Sequence, residues 1–415
     1  MSGALLPVEA ARALILDRVT PLGPVRLPLE RVVDRVLAEA VDATRALPAF
    51  DDSAMDGYAV RAAECTPGRR LPVVGEVAAG AAGDAPVEPG TAVRIFTGAP
   101  VPPGADAILI QEDTRRHADA IEVLSAVAPG ANIRRAGTDV EPGQRLLEPG
   151  RILTPGDVAL LGALGRTRVD VYRAPVVAIL SSGDELVEPD GPPPARGQVT
   201  NSNGIALAAA VRALGAEPRL LPVVRDDADA VRAALLAASR ADAVLTVGGM
   251  SVGDHDHLGR QLSALCGADL ALWRVAIRPG KPLGFGRLKD TWLFGLPGNP
   301  VSALVTFEVF VRPALLRLLG HDRVLRRLRR ATLAHPLPAG GQREEYRRAA
   351  LSWRQGRLEV DARRTQSSGA LSSLAGADAL LVLRAGARAQ EAGETVDVLV
   401  LGPDSPLDRL SIVGG

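Results

Sequence analysis

The chain of 415 residues predicts a multidomain α/β plus β protein. Three observations predict it. Between residues 174 and 327, apolar β-type runs alternate with helical stripes, the pattern of a parallel sheet covered by helices. Residues 48–143, and the stretch from 328 onward, carry short β-type runs separated by Gly and Pro. The length suggests about three domains at roughly 150 residues each. The expected organisation is a parallel-sheet α/β domain at 174–327, an inserted β-rich domain at 48–143 and a C-terminal all-β, barrel-like domain at 328–415. Residues 1–47 and 144–173 are expected to form a small helical/mixed domain, the first helix being free to pack on the α/β domain.

The elements follow in order. Val8, Ala11, Ile15 and Val19 share one helical face, so 7–19 reads as an opening helix, and 29–41 reads as a second. Short β-type runs come next, at 71–77, 93–97, 107–111 and 121–127. Helix returns within 144–173, where Thr154 is a good N-cap, Pro155 takes the first helical position and Asp157 the capping-box position. Strands are then expected at 176–180, 220–224, 243–247 and 292–296, with helical stripes between the first three and a stripe at Leu258, Leu262 and Leu265. A long helix is expected over 301–319. Runs at 331–337, 346–353, 358–360, 379–383 and 396–401 complete a barrel or sandwich.

Composition narrows the function. Hydrophobic residues make up 47% and charged residues 23%, enough for full cores, while only 3% are aromatic, so Leu, Val, Ile and Ala must build them. Lys plus Arg equals Asp plus Glu at 48 each, which leaves no electrostatic footprint for nucleic acid or an anionic membrane. No apolar run approaches the ~20 residues of a membrane span. Cys65 and Cys266 lack a metal or redox spacing and read as free thiols in a reducing compartment. Glu9 and Arg12 interrupt the apolar residues of the N-terminus, which argues against a signal peptide. A cytoplasmic protein is expected.

Four groups of residues could carry chemistry. Asp51, Asp52 and Asp56 form a hard-oxygen cluster of the kind that suits Mg²⁺ bridging to substrate phosphates, although Asp56-Gly57 is also ordinary turn chemistry. Thr97 is the first polar side chain of a rigid Gly/Pro loop after a strand. In the α/β region, three strands lead into loops where an open sheet binds ligands: Ser182-Gly183-Asp184-Glu185, Gly248-Gly249-Met250-Ser251-Val252-Gly253 and Pro297-Gly298-Asn299-Pro300. Their glycines let the backbone approach an anion, and helix N-termini offer N–H groups to phosphate. Asn201, Ser202 and Asn203 open another helix. Acids in these loops (Asp184, Glu185, Asp226, Asp254 and Asp256) call for a cation beside a phosphate, though Asp226 reads equally well as a helix N-cap. Neither a Walker loop nor G-x-G-x-x-G is present at the first strand. Last, Arg278-Pro279-Gly280-Lys281 sets two cations in a turn braced by proline, a grip for an oxyanion.

Together and in this order, the stretches FDDSAMDGYA, FTGAPVPPGADAI, SSGDEL, TNSNG, VGGMSVGDHD, RPGKPLGFG and LPGNPVSA resemble the signature series of molybdopterin molybdenumtransferases, shared with the E domains of gephyrin-like proteins. Arg343 to Tyr346 and Thr365 to Ser368 match as well, so the resemblance spans about residues 5 to 400. It implies a four-domain, elongated homodimer that inserts molybdenum from molybdate into adenylylated molybdopterin, with Mg²⁺, and releases AMP. Small-molecule substrates are implied, with the molybdopterin adenylyltransferase as a further partner. By motif, Asp56, Thr97, Glu185, Asp226, Asp256 and Lys281 resemble the catalytic polar residues, with Asp56, Glu185 and Asp256 on the metal. Arg278, Lys281, Ser302, Arg343 and Ser368 resemble the molybdate-binding groups. The pterin and its phosphate are expected over Ser182, Gly183, Asn201, Asn203, Gly248, Gly249, Ser251, Gly253, Pro297, Gly298, Asn299 and Pro300. Arg278 stands where the family often has Lys, and Met250 where Val is usual. Because Asp56 and Arg343 fall in other expected domains than Lys281, the site is expected at a domain or subunit junction. Two alternatives accompany this reading: a non-catalytic molybdopterin-binding scaffold of the same fold, and a tungstate-handling paralogue.

Overall fold

A computed structural model describes residues 5–248 and 257–402 and divides the chain into two units. One comprises Arg26–Asp170; the other comprises Met1–Val25 with Val171–Gly415.

The Arg26–Asp170 unit is built on a six-stranded sheet in the order Ala107–Ile110, Gly57–Val60, Ala92–Ile95, Arg70–Val77, Ala120–Val123, Thr114–Arg116. Alternation sends Tyr58, Leu109 and Ala92 into one apolar cluster, and Ala59, Ile108 and Val93 into another, so both faces are covered. Gly57 is required in the central strand, because a Cβ there would strike the Leu109 carbonyl oxygen. The helix expected over 29–41 does not form. Leu29–Arg31 is one turn of 3-10 helix, Asp34 adopts φ 64°, and Val41–Asp42 is a strand paired with Arg145–Leu147. Val32, Val36, Leu37 and Val41 are buried as a helical face would be. The N–H groups of Asp34 and Leu37, however, donate to the carbonyls of Leu153 and Arg151, so long-range pairing replaces the helical ladder. The Thr154 capping box forms as expected and starts the helix Pro155–Ala163.

In the other unit, the opening helix Val8–Leu16 buries Val8, Ala11 and Ile15 in the core of a six-stranded mixed sheet. Its order is Glu217–Leu220, Val176–Ser181, Ala243–Val247, Thr291–Leu296, Pro282–Leu288, Ala271–Arg274. The first four strands are parallel and the last two antiparallel, so the sheet is parallel where it was expected and gains an unforeseen antiparallel edge. The expected strand at 220–224 lies earlier, at Glu217–Leu220, with only Val224 bridging on to Ser182. The long helix runs as Pro300–Thr306, a π-helical segment Phe307–Val311, and Arg312–Leu318. Pro313 has no N–H to give the preceding turn and its ring crowds that turn's carbonyl, which accounts for the wide turn.

The C-terminal strands close into a five-stranded barrel: Glu344–Arg354, Arg357–Asp361, Leu328–Leu333, Thr395–Val400, Ala379–Leu383 and back to Glu344–Arg354. Leu333, Leu351, Val360, Leu381 and Val398 fill its interior. The short strand Ile277–Arg278 pairs parallel with Glu344–Glu345 and ties the barrel to the α/β domain. Cys65 and Cys266 are buried and unbonded. Among the described residues, no helix is long and apolar enough to cross a membrane.

Candidate functional site

From Val176–Ser181 the chain passes first to the neighbouring strand on one side, then to Ala243–Val247 on the other. The sheet thus has a switch point in strand order between Val176–Ser181 and Ala243–Val247, the place where open parallel sheets take ligands. A cavity of about 760 Å³ opens there, and Ser182, Glu185, Asn201, Asn203, Gly248, Gly298, Asn299 and Pro300 line it. Gly183 is buried beside Ser182, and its Cβ position lies 2.5 Å from the Glu185 carboxylate. Pro297 precedes Gly298 and does not line the cavity.

Local hydrogen bonds set this wall. Asn201 Oδ1 accepts from the Ser181 hydroxyl at 3.0 Å and from the Gly204 N–H at 3.1 Å, which caps the helix Ser202–Ala213. Asn203 donates its Nδ2 to the Gly298 carbonyl at 2.7 Å and so joins two loops. Asn201 Nδ2 and Asn203 Oδ1 are buried without a hydrogen-bond partner among the described residues. Such atoms are costly unless a ligand or water serves them. Gly248 adopts φ 88°, and its Cα is 3.7 Å from the Cβ position at Gly298. Side chains there would fill the space between the two loops. Glu185 is the one charged group lining the cavity among the described residues. Its carboxylate has no hydrogen bond or ion pair among the described residues. Asp226 accepts from the Ser182 hydroxyl at 2.7 Å, and its N–H donates to Asp184 at 3.2 Å. It is not the helix cap: Asp227 is, accepting from the Ala230 N–H at 2.8 Å.

A basic corner adjoins this wall. Gly280, at φ 104°, packs the Arg278–Lys281 turn on the helix Pro300–Thr306, where a Cβ would strike the Thr306 hydroxyl and come 3.4 Å from the Ser302 carbonyl. The Val301 N–H donates to the Ser368 carbonyl at 3.1 Å, and Gly369 lines the cavity. Arg343 donates to the Ile277 carbonyl at 3.4 Å. Ser368 thus meets the start of the helix Pro300–Thr306, the Arg278–Lys281 turn packs along the same helix at Ser302 and Thr306, and Arg343 is tied to the strand that leads into that turn. Arg278 remains exposed and reaches the buried Glu345 at 3.3 Å. Burial alone would raise the Glu345 pKa, but hydrogen bonds from Arg347 and the nearby cations bring it below the ordinary carboxylate value. The Lys281 ammonium has no hydrogen bond or ion pair among the described residues.

In the other unit, Asp56 accepts from both the backbone N–H and the hydroxyl of Thr97, each at 2.8 Å. These two bonds hold its carboxyl below the ordinary range. The expected hard-oxygen cluster does not survive there. Asp52 is bound at both oxygens by Arg134, and Asp51 is paired with Arg135, which leaves Asp56 alone. Gly249, Ser251, Gly253 and Asp256, with Asp254, lie outside the described residues.

Three families match successive parts of the chain: the MoeA N-terminal region (domain I and II) at residues 6–165, the probable molybdopterin binding domain at 178–317, and the MoeA C-terminal region (domain IV) at 330–401. A protein of Haemophilus influenzae named molybdopterin molybdenumtransferase is 36% identical, over 95% of this chain and 98% of that one. The chain belongs to the molybdopterin molybdenumtransferase family. Molybdopterin molybdenumtransferase 2 of Mycobacterium tuberculosis is 39% identical, over 84% of this chain and 88% of that one. The molybdopterin biosynthesis moeA protein of Pyrococcus horikoshii OT3 superposes with a TM-score of 0.80 at 32% identity, covering 96% of this chain and all of that one.

This transferase is therefore an enzyme of molybdenum cofactor biosynthesis. Its site holds groups to which motif reading gave no role. Glu345 lies 67 residues from its partner Arg278, and no local pattern announces the pair. Gly369 and Leu371 line the cavity from the barrel side; only their nearness to Ser368 could have drawn attention to them.

Proposed function

We propose that the chain inserts molybdenum from molybdate into adenylylated molybdopterin, releasing AMP. The observation that carries this is the adjacency of two unlike halves of one site. A cavity that carries amides and the Glu185 carboxylate lies along the same helix, Pro300–Thr306, as the turn that bears Arg278 and Lys281, with Arg343 tied to the adjoining strand. The cavity suits the pterin and its phosphates, with the N-terminus of the helix Ser202–Ala213 opening on it. The corner suits a small dianion, since Lys281 offers a compact charge and Arg278 and Arg343 planar forks.

The donor set also fits Mg²⁺. Among the described residues, no three acidic, His or Cys side chains gather as a metal cage. Mg²⁺ seldom uses such a cage; one or two carboxylates with substrate phosphates suffice. Glu185, unpaired and lining the cavity, is one such carboxylate; Asp56 and Asp256 are proposed as the others. When bound, the ion neutralises the phosphoanhydride. Glu185 and Asp56 hold ionised oxygen toward that charge, Ser182 and Asp226 orient the first loop, and the basic corner positions the oxyanion. A homodimer working in the cytoplasm, supplied by the molybdopterin adenylyltransferase, completes the reading.

Incubation with adenylylated molybdopterin, molybdate and Mg²⁺ should yield AMP and molybdenum cofactor. Asp56→Asn should slow AMP release by at least about a hundredfold. A wild-type chain that binds the pterin yet yields no AMP above a control without enzyme sinks the reading and leaves a scaffold.

A further inference from the structure

We infer that Arg348 is a positioning residue of the oxyanion corner, and that its buried charge is balanced by the bound anion. This rests on the reading that the corner takes molybdate. Arg348 lies on the barrel strand Glu344–Arg354 and is 1% exposed, the largest side chain so deeply buried among the described residues. A buried guanidinium ordinarily sits against a carboxylate. Arg348 has none within ion-pair distance among the described residues.

Its hydrogen bonds go elsewhere. Nη2 donates to the carbonyls of Thr365 and Ser367, each at 3.1 Å, and Nε to the Ser373 hydroxyl at 3.1 Å. Gln366 completes the clamp: its Oε1 accepts from the Arg348 N–H at 3.0 Å, and its Nε2 donates to the Arg348 carbonyl at 3.0 Å. The segment so fixed ends one peptide bond before Ser368, whose carbonyl takes the Val301 N–H. Arg348 therefore holds the loop that carries Ser368 and Gly369 to the corner. A buried cation is costly in a medium of low dielectric unless an opposite charge lies near. Two of its bonds run to the loop that adjoins the anion, and a dianion there supplies that charge. Burial also pulls the Arg348 pKa below the ordinary arginine value, consistent with a cation lacking a counter-ion.

The test uses the full chain with Arg348→Lys, which keeps the charge but loses the fork, and Arg348→Met, which loses both. Molybdate binding is read by calorimetry, and KM for molybdate and for adenylylated molybdopterin are read separately. Loss of hydrogen bonds to a charged group should weaken molybdate by about tenfold in the Lys variant and about a hundredfold in the Met variant. KM for adenylylated molybdopterin should rise by clearly less, since the same loop reaches the cavity only through Gly369 and Leu371. Stabilisation of the fold by molybdate on heating should shrink in the same order. If Arg348→Met fails to fold, Arg348→Lys decides alone. Unchanged molybdate affinity in a folded variant, or equal loss for both substrates, overturns the inference. A wild-type chain that binds no molybdate overturns the underlying reading and this inference with it.

Discussion

The cavity beside Ser182 and the corner beside Lys281 lie along one helix, Pro300–Thr306, yet they are made of opposite materials. Among the described residues, the cavity is walled by glycines, amides, hydroxyls, apolar side chains and one carboxylate. The corner carries Arg278, Lys281 and Arg343, with Glu345 buried behind Arg278. The cavity can hold a large ligand by shape and fixed backbone, and helix ends supply partial charge for phosphate without a lysine or arginine. In the proposed function the corner holds a small dianion by full charge. In a chain of zero formal net charge, attraction for an oxyanion has to be focused locally, and the proposed function gives that part to the turn Arg278–Lys281.

The contrast can be broken from either side. Lys281→Ala should weaken molybdate by about a hundredfold, by removing a full charge that has no other partner here, and leave pterin binding nearly unchanged. Equal damage to both substrates would mean that the two halves are one. Gly298→Val should do the reverse. Its Cβ meets only ordinary contact, 3.7 Å from Gly248, so the fold should persist while the added methyls occupy the cavity. An increase of about tenfold in KM for adenylylated molybdopterin, with molybdate binding intact, is expected.

A smaller effect sharpens the role of Asp56. Thr97 stabilises its ionised form, so the carboxylate persists below the ordinary titration range and is lost only as the pH falls through that depressed pKa. Thr97→Val removes the hydroxyl bond, which lets the pKa rise. The acid limb of the pH–rate profile should move to higher pH, and an unmoved limb would separate Asp56 from the rate. Least of all, Asn203→Ala should cost a few-fold in pterin binding by freeing the Gly298 carbonyl, read by calorimetry.

Much of the cavity could be read along the chain. Strands 176–180, 243–247 and 292–296 run into Ser181, Gly248 and Pro297-Gly298, and helical patterns follow them, so the loops that leave them were visible as loops. The Thr154 cap was equally plain, because Thr-Pro-Gly-Asp supplies every donor and acceptor within four residues. The misreadings share one cause. Residues 29–41 show helical spacing, yet their N–H groups pair with 151–153, over a hundred residues away. Asp51 and Asp52 looked like metal ligands until Arg134 and Arg135 claimed them. Asp226 was one residue from the cap it might have been.

What the sequence by itself determined was local: periods of two and of 3.6, caps, turn glycines and the order of the motifs, all written in neighbours a few residues apart. What the tertiary structure decided was which charges are already spent on each other and which remain for a ligand. Ion pairing and burial depend on distances between residues such as Arg278 and Glu345, and nothing in either one's neighbourhood encodes the other.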